Sequence, residues 1–374
     1  MKILVINWQD WTHPEAGGAE THLYEIFRRL AARGHQITLL CSHYSGAPVS
    51  ETIDGIAICR YGSRNIFNFL VPFYYLFRLK KERFDVIVDD LNKIPFFTPL
   101  FIRRPLVGIC HHFFGKTIFH EVGFIRGSYV LASEVLAKIV YRRTRFLAVS
   151  KSTIDELVAA GFDRKQFSMA MNAITYDGRY QLGVTRSPHP MIAYVGRLKK
   201  YKSVDHLVRA FVEVRKVFPT AELLIVGRGD HEKQLRELVD ALGLSGSTRF
   251  IGFITEDEKH RLLQQAWVCV NPSIKEGWGI VNIEASACGT PAVAADSPGL
   301  RDSIQEGRTG LLYPYGDIDA LADMLIRVLG DNNLRATLGE QGIAFARSFS
   351  WETSADAMLV ALEETVKNHR NTGK

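Results

Sequence analysis

Short apolar runs alternate with longer amphipathic segments in the first half of the chain. The runs cover residues 3–6, 37–41, 86–88, 106–110 and 146–149. One of the intervening segments repeats apolar side chains at the helical period, at Leu23, Ile26, Phe27 and Leu30. This rhythm predicts parallel strands joined by helices that cover both faces of a sheet.

The alternation starts again in the second half, at residues 191–195, 223–226, 249–253, 268–270, 291–294 and 311–313. Between the two series, residues 176–190 are polar and contain Gly178, Gly183, Pro188 and Pro190, which is typical of a linker. The sequence therefore predicts an α/β protein with two doubly wound, Rossmann-like domains, residues 1–175 and 191–350. Because the loops of such domains follow the strand carboxyl ends, we expect the domains to face a central cleft.

The composition is that of a large globular protein without secretory features. The chain has 374 residues, of which 47% are apolar and 23% charged, enough for two folded domains. Its 5 cysteines form no CxxC pair, which favours free thiols in a reducing compartment. The N-terminal segment MKILVINWQDW has too short an apolar run for a signal peptide. We therefore expect a cytoplasmic protein.

Positive charge is concentrated in the first half, where residues 1–186 hold 24 Lys and Arg against 16 Asp and Glu. Many of these cations follow apolar runs: Arg78, Lys80, Lys81, Arg83, Arg103, Arg104, Arg142, Arg143 and Arg145. Cations beside exposed apolar side chains suit an anionic membrane surface, whereas apolar side chains in the core would leave only solvated helix ends. Both interpretations stay open. The longest apolar candidate, residues 66–79, falls short of the roughly 20 residues of a membrane span, and no nucleic-acid motif accompanies the charge.

The most informative stretch is residues 271–291, NPSIKEGWGIVNIEASACGTP. Glu276 and Glu284 stand eight positions apart, and Gly277, Trp278 and Gly279 lead into a predicted helix. Glycines at a strand-to-helix junction leave backbone amides uncovered, and a helix N-terminus favours phosphate. A carboxylate can accept hydrogen bonds from two neighbouring sugar hydroxyls. A sugar nucleotide, with phosphate between two sugars, fits both features.

This stretch resembles the E-x7-E signature of the retaining family 4 glycosyltransferases. The similarity continues in residues 14–20 (PEAGGAE), 33–37 (RGHQI), 148–151 (AVSK), Asn172, 194–198 (YVGRL) with Lys202, and 310–314 (GLLYP). The resemblance implies the GT-B fold, with the acceptor bound by the first domain and the nucleotide sugar by the second. It also implies a C-terminal helix at residues 351–370 that packs back on the first domain.

The resemblance implies roles for individual residues of the second domain. Arg197 and Lys202 match the cations that bind the diphosphate, where fixed positive charge stabilises the leaving group. The donor sugar is held by Glu276 and the backbone of Gly277, Trp278 and Gly279, the diphosphate lies near the Ile280 amide, and Glu284 binds the ribose. Gly227, Gly252 and Phe253 match the loops that enclose the base.

In the first domain, Gly17 and Gly18 match the turn that approaches the phosphates. His111 matches the histidine that contacts the transferring sugar, with the adjacent His112 as an alternative. One position departs from the family pattern, because Ser203 follows Lys202 where the family usually has glycine. Serine is a frequent helix cap, which predicts that the turn before the helix is kept.

The resemblance further implies retention at the anomeric carbon without a metal ion, since basic side chains replace the cation. Asp89-Asp90 lacks a spaced partner and Cys110-His111-His112 lacks a fourth ligand, so neither predicts a metal site. No cofactor is implied besides the nucleotide-diphosphate sugar. We expect transfer of a hexosyl group to a glycan or lipid-linked acceptor in cell-envelope polysaccharide or glycolipid synthesis, with a peripheral place at the inner face of the cell membrane as an open alternative.

Other classes remain as alternatives. Residues 226–230, VGRGD, half-match a dinucleotide fingerprint and would suit an NAD-dependent oxidoreductase, but Glu232 occupies the place of the third glycine. A sugar-nucleotide epimerase or hydrolase of similar fold is a nearer alternative. The sequence leaves open the donor base and sugar, the acceptor, the linkage and the oligomeric state.

Overall fold

The structure, a computed structural model, describes residues 1–91, 94–120, 123–175 and 185–371. Contacts divide the chain into two compact units. Met1–Asn172 and Trp351–Lys374 form the N-terminal unit, and Ala173–Ser350 forms the C-terminal unit. In the described part of the chain each unit is built on one sheet, of 8 strands in the first unit and 6 in the second.

The N-terminal unit alternates strands and helices. Its strands are β1 (Lys2–Ile6), β2 (Gln36–His43), β3 (Ser50–Ile53), β4 (Ile56–Ser63), β5 (Val86–Leu91), β6 (Leu106–Cys110), β7 (Arg145–Ala148) and β8 (Phe167–Met169). Its α-helices are α1 (Gly18–Ala32), α2 (Phe67–Tyr74), α3 (Phe124–Val140), α4 (Lys151–Ala159) and α11 (Trp351–Asn371). A π-helical turn, Tyr75–Leu79, continues α2, and short 3-10 turns lie at Lys80–Glu82, Thr98–Leu100, Gly115–His120 and Arg164–Gln166.

The order of strands in this unit is β3-β4-β2-β1-β5-β6-β7-β8, and only β3 pairs antiparallel with its neighbour. The central strand β1 pairs with β2 on one side and β5 on the other, so the winding of the chain reverses there. Loops that follow the carboxyl ends of such neighbouring strands form the usual ligand site of a doubly wound fold.

The helix α1 packs one apolar stripe into the core. Leu23, Ile26, Phe27 and Leu30 are buried in one cluster with Met358 of α11, the spacing expected for a helix that covers a sheet. Helix α11 belongs to this unit although it ends the chain. Its first turns are tied to α1 by ion pairs, including Arg33 with Glu352 and with Asp356, both at 2.6 Å.

A buried ion pair fixes the loop between β1 and α1. Arg60 of β4 donates from Nε to Asp10 Oδ2 over 2.7 Å, and both side chains are fully buried. Breaking one partner of such a pair leaves an uncompensated buried charge, at a cost of about 3–5 kcal/mol. Arg64 forms a second ion pair with Glu15 of the same loop. The loop is thereby held by β4 before it enters α1.

The C-terminal unit repeats the alternation. Its strands are β9 (Met191–Val195), β10 (Glu222–Val226), β11 (Thr248–Gly252), β12 (Val268–Asn271), β13 (Ala292–Ala295) and β14 (Gly310–Tyr313). Its helices are α5 (Val204–Val217), α6 (Glu232–Ala241), α7 (Glu256–Gln265), α8 (Ile280–Ala287), α9 (Ile318–Gly330) and α10 (Asn332–Ala346), with a 3-10 turn at Lys200–Lys202. All strand pairs are parallel in the order β11-β10-β9-β12-β13-β14.

Every apolar run of the sequence analysis forms a strand, although several strands begin or end a few residues away from the run. Three strands escape the apolar pattern, namely β3, β4 and β8. The first two form a hairpin whose turn, Asp54-Gly55, has positive φ angles of 48° and 79°. Asp-Gly is a strong hairpin signal, so this pair could have been found from the sequence.

The predicted linker is only partly described. Its residues 176–184 lie outside the described residues, and the contact boundary falls after Asn172, not after residue 175. The part from 185 onward packs on the C-terminal unit, where Arg186 donates to Thr290 Oγ1 over 2.9 Å and the Ser187 amide donates to the Gln265 carbonyl over 3.0 Å. Residues 185–190 therefore belong to the C-terminal unit.

Candidate functional site

The C-terminal unit has its switch point between β9 and β12, which pair although β10 and β11 lie between them in the chain. The loop after β9 carries Arg197 and Lys202, and the loop after β12 carries Glu276. Because the strands are parallel neighbours, their carboxyl ends bring these two loops together. The topology thus places Lys202 and Glu276, 74 positions apart in the chain, in one site.

The lysine and the carboxylate form an ion pair. Lys202 Nζ donates to Glu276 Oε1, and the exposed fractions of the two side chains are 13% and 16%. Burial lowers the pKa of Lys202, but the Glu276 carboxylate outweighs it and the pKa is raised. Arg197 lies on the same loop and donates to the Tyr201 hydroxyl over 3.2 Å. Lys202 therefore remains a fixed positive charge at neutral pH.

Ser203 adopts a left-handed conformation, with φ 50° and ψ 38°. Such a φ angle favours glycine, which explains the family preference at this position. The turn before α5 is kept, as predicted, but not through a side-chain cap, because the Ser203 hydroxyl lies 3.0 Å from the Tyr315 hydroxyl and does not bond the first turn of α5. The contact with Tyr315 holds in place a turn that glycine would form without strain.

Two glycine-rich loops cross closely behind Arg197. A Cβ on Gly227, where φ is 130°, would lie 1.9 Å from the Gly196 carbonyl oxygen. A Cβ on Gly229 would lie 2.0 Å from the Leu198 carbonyl oxygen. The loop after β10 therefore packs backbone against backbone on the loop after β9. The glycines of the VGRGD segment therefore allow two loops to approach closely. This packing role accounts for them without a bound dinucleotide.

The loop after β12 ends in the N-terminus of α8. Gly279 precedes the helix with φ 75°, and a Cβ there would lie 2.7 Å from Leu300 Cδ2. The Trp278 indole is buried and packs edge-on against Phe349, with ring centroids 4.8 Å apart. No described side chain caps the helix, so the amides at Ile280 and beyond keep the partial positive charge of a helix N-terminus.

The second carboxylate of the motif is held by a lysine that the sequence analysis missed. Lys259 of α7 donates from Nζ to Glu284 Oε1 over 2.8 Å and pairs equally closely with Glu256. Glu284 is 8% exposed, and its Oε2 is buried with no hydrogen-bond partner among the described residues. One oxygen of Glu284 thus lacks a donor among the described residues. No sequence spacing links Lys259 to this carboxylate.

Gly252 ends the edge strand β11, and Phe253 follows it. Gly252 has φ 77°, and its carbonyl accepts from the Gly227 amide over 2.8 Å. The Phe253 side chain is 78% exposed, an unusual position for a large aromatic group. The predicted base-binding glycines are therefore in contact, and Phe253 stands beside them with its ring accessible.

In the N-terminal unit, Gly17 and Gly18 begin α1. The Gly17 amide donates to Glu20 Oε2 over 2.7 Å, and burial raises the pKa of that carboxyl. A Cβ on Gly18 would meet no described atom within 4 Å. The helix start thus has open space in front of it, on the carboxyl side of β1.

His111 lies at the end of β6 in a buried polar cluster. Its Nε2 is 3.2 Å from Asp90 Oδ1, and its ring packs edge-on against His22 with centroids 5.2 Å apart. Burial opposes the charged imidazolium, but Asp90 outweighs it and raises the pKa of His111. Burial lowers the pKa of His22 to about 3, so that ring is neutral. His112 packs against Phe114 instead, with centroids 4.7 Å apart.

Asp89 and Asp90, near the end of β5, have different partners. Asp89 accepts from the hydroxyls of Thr98 and Tyr141, each over 2.5 Å, and burial raises its pKa to about 6. Asp90 contacts His111, as described above. Within residues 1–91, 94–120, 123–175 and 185–371, no group of three His, Cys, Asp or Glu is arranged to hold a metal ion.

Comparison with known sequences finds glycosyltransferase families that match both halves of the chain. The family described as Glycosyl transferases group 1 matches residues 184–345, and Glycosyltransferase Family 4 matches residues 16–177. The D-inositol 3-phosphate glycosyltransferase of Corynebacterium jeikeium is 33% identical over 215 residues, 56% of this chain and 51% of that protein. A GDP-mannose-dependent monoacylated α-(1-6)-phosphatidylinositol monomannoside mannosyltransferase of Corynebacterium glutamicum is 32% identical over 236 residues, 61% of each. The match spans about half the length of the first of these relatives.

Solved structures share the fold. Sucrose-phosphate synthase of Thermosynechococcus elongatus superposes with a TM-score of 0.81 over 97% of this chain and 98% of that chain, at 22% identity. Anabaena HepE in complex with UDP and glucose superposes with a TM-score of 0.77 over 97% and 100%, at 21% identity. The fold is GT-B, with two Rossmann-like units. The chain belongs to glycosyltransferase family 4, which confirms the resemblance in its sequence.

The crossing of the two glycine-rich loops predicts a stability effect. Gly227→Ala should lower the free energy of unfolding in urea by at least about 2 kcal/mol more than Gly243→Ala, because only the first adds a steric clash. Gly243 is the matched control, since its φ of 68° is also positive but a Cβ there would meet no described atom within 4 Å. Equal losses in the two variants would contradict the close approach.

Proposed function

We propose that the protein transfers a hexosyl group from a nucleotide-diphosphate sugar to a hydroxyl of a glycan or lipid-linked acceptor. The observation that carries this proposal is the pairing of the two motif carboxylates, Glu276 with Lys202 and Glu284 with Lys259, in the loops and helices that follow neighbouring strands. The transfer serves cell-envelope polysaccharide or glycolipid synthesis. The protein acts in the cytoplasm, held peripherally at the inner face of the cell membrane.

The diphosphate is the group that the cations fit. Lys202 and Arg197 lie on the loop after β9, and the adjoining loop leads into the uncapped N-terminus of α8. Charge builds up on the β-phosphate when the glycosidic bond breaks, and prepositioned positive charge stabilises it. In the absence of donor, Glu276 is the counter-ion of Lys202. A bound phosphate supplies a second anion to the lysine, while Glu276 turns its accepting oxygens to the sugar.

The ribose is the group that Glu284 fits. Its buried Oε2 lacks a partner among the described residues, and a ribose hydroxyl supplies the missing donor. Lys259 donates to the other oxygen of Glu284, Oε1, over 2.8 Å and fixes the position of the carboxylate. The exposed ring of Phe253 offers a face for the base beside Gly252. The base stays open between uridine and guanosine, since the solved complexes of Anabaena HepE contain UDP or UDP-glucose and a Corynebacterium glutamicum relative is named as GDP-mannose-dependent.

The proposed reaction retains the anomeric configuration and needs no metal ion. The bond between the anomeric carbon and the β-phosphate oxygen breaks, and a bond from the same carbon to the acceptor oxygen forms on the same face. The proton of the acceptor hydroxyl passes to the departing phosphate oxygen. Lys202 and Arg197 take the electrostatic role that a metal ion would otherwise have. His111, held by Asp90, is proposed to contact the transferring sugar.

The acceptor and the location are inferred from the relatives and the charge. One relative carries the name of an inositol 3-phosphate glycosyltransferase, and another that of a mannosyltransferase for a phosphatidylinositol mannoside. The basic excess of the first half of this chain suits an acceptor with an anionic or lipid-linked group. A free glycan of the cell envelope fits the same chemistry.

The reaction can be tested directly with the full chain. Purified protein is incubated with uridine, guanosine and adenosine diphosphate sugars, with and without lipid-linked acceptors, and the products are separated. We expect a glycosylated product only when acceptor is present. NMR should show that the product keeps the anomeric configuration of the donor. A chelator should not lower the rate of transfer. Conversion of the sugar without acceptor would indicate an epimerase or hydrolase. Reduction of a nicotinamide, seen by absorbance, would indicate an oxidoreductase.

Removal of Arg197 should affect the diphosphate specifically. Arg197→Ala is expected to weaken binding of the nucleoside diphosphate by on the order of tenfold or more, because a charged hydrogen bond is lost. Binding of the free nucleoside should be almost unchanged. Lys199→Ala is the matched control, since this cation of the same loop pairs with Asp230 over 2.8 Å. Equal weakening of nucleoside and nucleoside diphosphate would exclude the diphosphate contact.

The unsatisfied oxygen of Glu284 predicts discrimination against deoxyribose. The wild-type protein should bind the ribonucleoside diphosphate at least about tenfold more tightly than its 2′-deoxy or 3′-deoxy analogue, because the analogue leaves a buried carboxylate oxygen unpaired. In Glu284→Gln this preference should shrink severalfold in calorimetric titrations. Glu237→Gln, in an exposed pair with Lys233 of the same unit, should keep the full preference. A preference that survives Glu284→Gln would place the ribose elsewhere.

A further inference from the structure

Helix α2 and the π-helical turn after it are apolar on two opposite faces. Phe67, Val71, Tyr75 and Leu79 lie four residues apart and are buried in the N-terminal unit. The opposite face carries a second apolar stripe that remains exposed: Ile66 at 48%, Phe69 at 59%, Phe73 at 60%, Leu76 at 40% and Phe77 at 73%. A helix that is apolar all round is normally buried on all sides. Here one side has no cover among the described residues.

Helix α3 has the same character. Gly127, Val130 and Ala137 face the interior, and Glu134 is buried, where its carboxylate accepts from the amides of Phe114 and Gly115. The exposed side carries Phe124, Ile125, Tyr129, Val135, Leu136 and Ile139. Their spacing gives a continuous stripe along the 17 residues of the helix.

The two stripes belong to one surface. Asn68 of α2 donates from Nδ2 to the Tyr129 hydroxyl of α3 over 3.2 Å, so the two exposed faces meet where this bond forms. We call the exposed apolar side chains of α2, its π-helical turn and α3 the two-helix surface. Exposed apolar patches of this extent usually mark an interaction site, since scattered single residues do not form stripes.

The charge on the two-helix surface is predominantly positive, although Glu82 directly follows the first stripe. Arg78, Lys80 and Lys81 follow the first stripe and are exposed, and Arg142 and Arg143 follow the second. Residues 64–81 contain no Asp or Glu, and residues 122–154 contain only the buried Glu134. The sequence left open whether these aromatics face the core or a surface. The structure shows that they do both, on opposite faces of the same helices.

We infer that the two-helix surface docks on the headgroup region of an anionic membrane. Apolar side chains of helices that lie in the interface enter the acyl boundary, while Lys and Arg at their ends contact anionic headgroups. Among the described residues no helix is long and apolar enough to cross a membrane, which fits a surface attachment. This inference rests on the proposed function only for the purpose of the attachment. The membrane would bring the enzyme to a lipid-linked acceptor.

The test measures binding of the full chain to vesicles, with no reaction involved. The vesicles consist of phosphatidylcholine alone or of an equal mixture with phosphatidylglycerol, and bound protein is separated by flotation. The wild-type protein should bind the mixed vesicles at least about tenfold more strongly, and salt should reduce this binding. Indifference to both anionic lipid and salt would overturn the inference.

Two pairs of substitutions divide the apolar and the charged contributions. Phe73→Ser with Phe77→Ser and, separately, Lys80→Ser with Lys81→Ser should each reduce binding on the order of tenfold. The control pair, Val217→Ser with Val360→Ser, removes exposed apolar side chains elsewhere and should bind like wild type. All these side chains are exposed, so melting temperatures should stay close to the wild-type value, and donor binding should persist in every variant.

Each other outcome has a definite meaning. If the control pair weakens vesicle binding as much as the Phe73 and Phe77 pair, the two-helix surface is not the docking site. If the wild-type protein is a dimer by light scattering, and the Phe73 and Phe77 pair makes it a monomer without altering vesicle binding, the surface joins two copies of the chain. Absent vesicle binding with intact donor binding overturns this inference and the proposed membrane location, but not the proposed transfer reaction. Absent donor binding with intact vesicle binding overturns the proposed function alone.

Discussion

The ion pair between Lys202 and Glu276 is the interaction on which the account of this protein depends. It joins the loop after β9 to the loop after β12, and those strands are neighbours only because the winding of the sheet reverses between them. Neither side chain is more than one-sixth exposed. The lysine and the carboxylate of this pair can exchange partners. An arriving anion can replace Glu276 as the partner of Lys202, and an arriving sugar hydroxyl can replace Lys202 as the donor to Glu276.

Glycines in the surrounding loops let the backbone pack closely around Lys202 and Glu276 and hold them in place. Gly227 and Gly229 let the loop after β10 lie against the loop that carries Arg197 and Lys202, and Gly279 starts α8 in a left-handed conformation next to Leu300. Ser203 holds a similar conformation with the help of Tyr315. The start of α8, which has no side-chain cap, and the fixed Lys202 lie on loops that follow the neighbouring strands β12 and β9, and a diphosphate requires this combination. Glu284, held by Lys259, extends the proposed site to the ribose.

Much of this organisation is present in the sequence as periodicity and motif. Apolar runs predicted the buried parallel strands, because strands covered on both faces are apolar throughout. They could not predict β3 and β8, which are short and lie at the sheet edges, or β4, in which buried and exposed positions alternate. The E-x7-E motif named the carboxylates, but Lys259 lies on another helix and only the packing of α7 against α8 reveals it. The aromatic run before Arg78 could not be assigned to core or surface, because a helix with two apolar faces gives no amphipathic contrast.

The most direct test of the central claim is calorimetric titration of two variants of the Lys202–Glu276 pair with two ligands. The ligands are the nucleoside diphosphate that most raises the melting temperature of the wild-type chain and the corresponding nucleotide sugar. Lys202→Met should weaken binding of both, whereas Glu276→Gln should weaken only the nucleotide sugar and leave the nucleoside diphosphate as tight as before or tighter, because the lysine loses its competing counter-ion. Equal effects of the two substitutions on both ligands would contradict the claim that Lys202 binds the diphosphate and Glu276 binds the sugar.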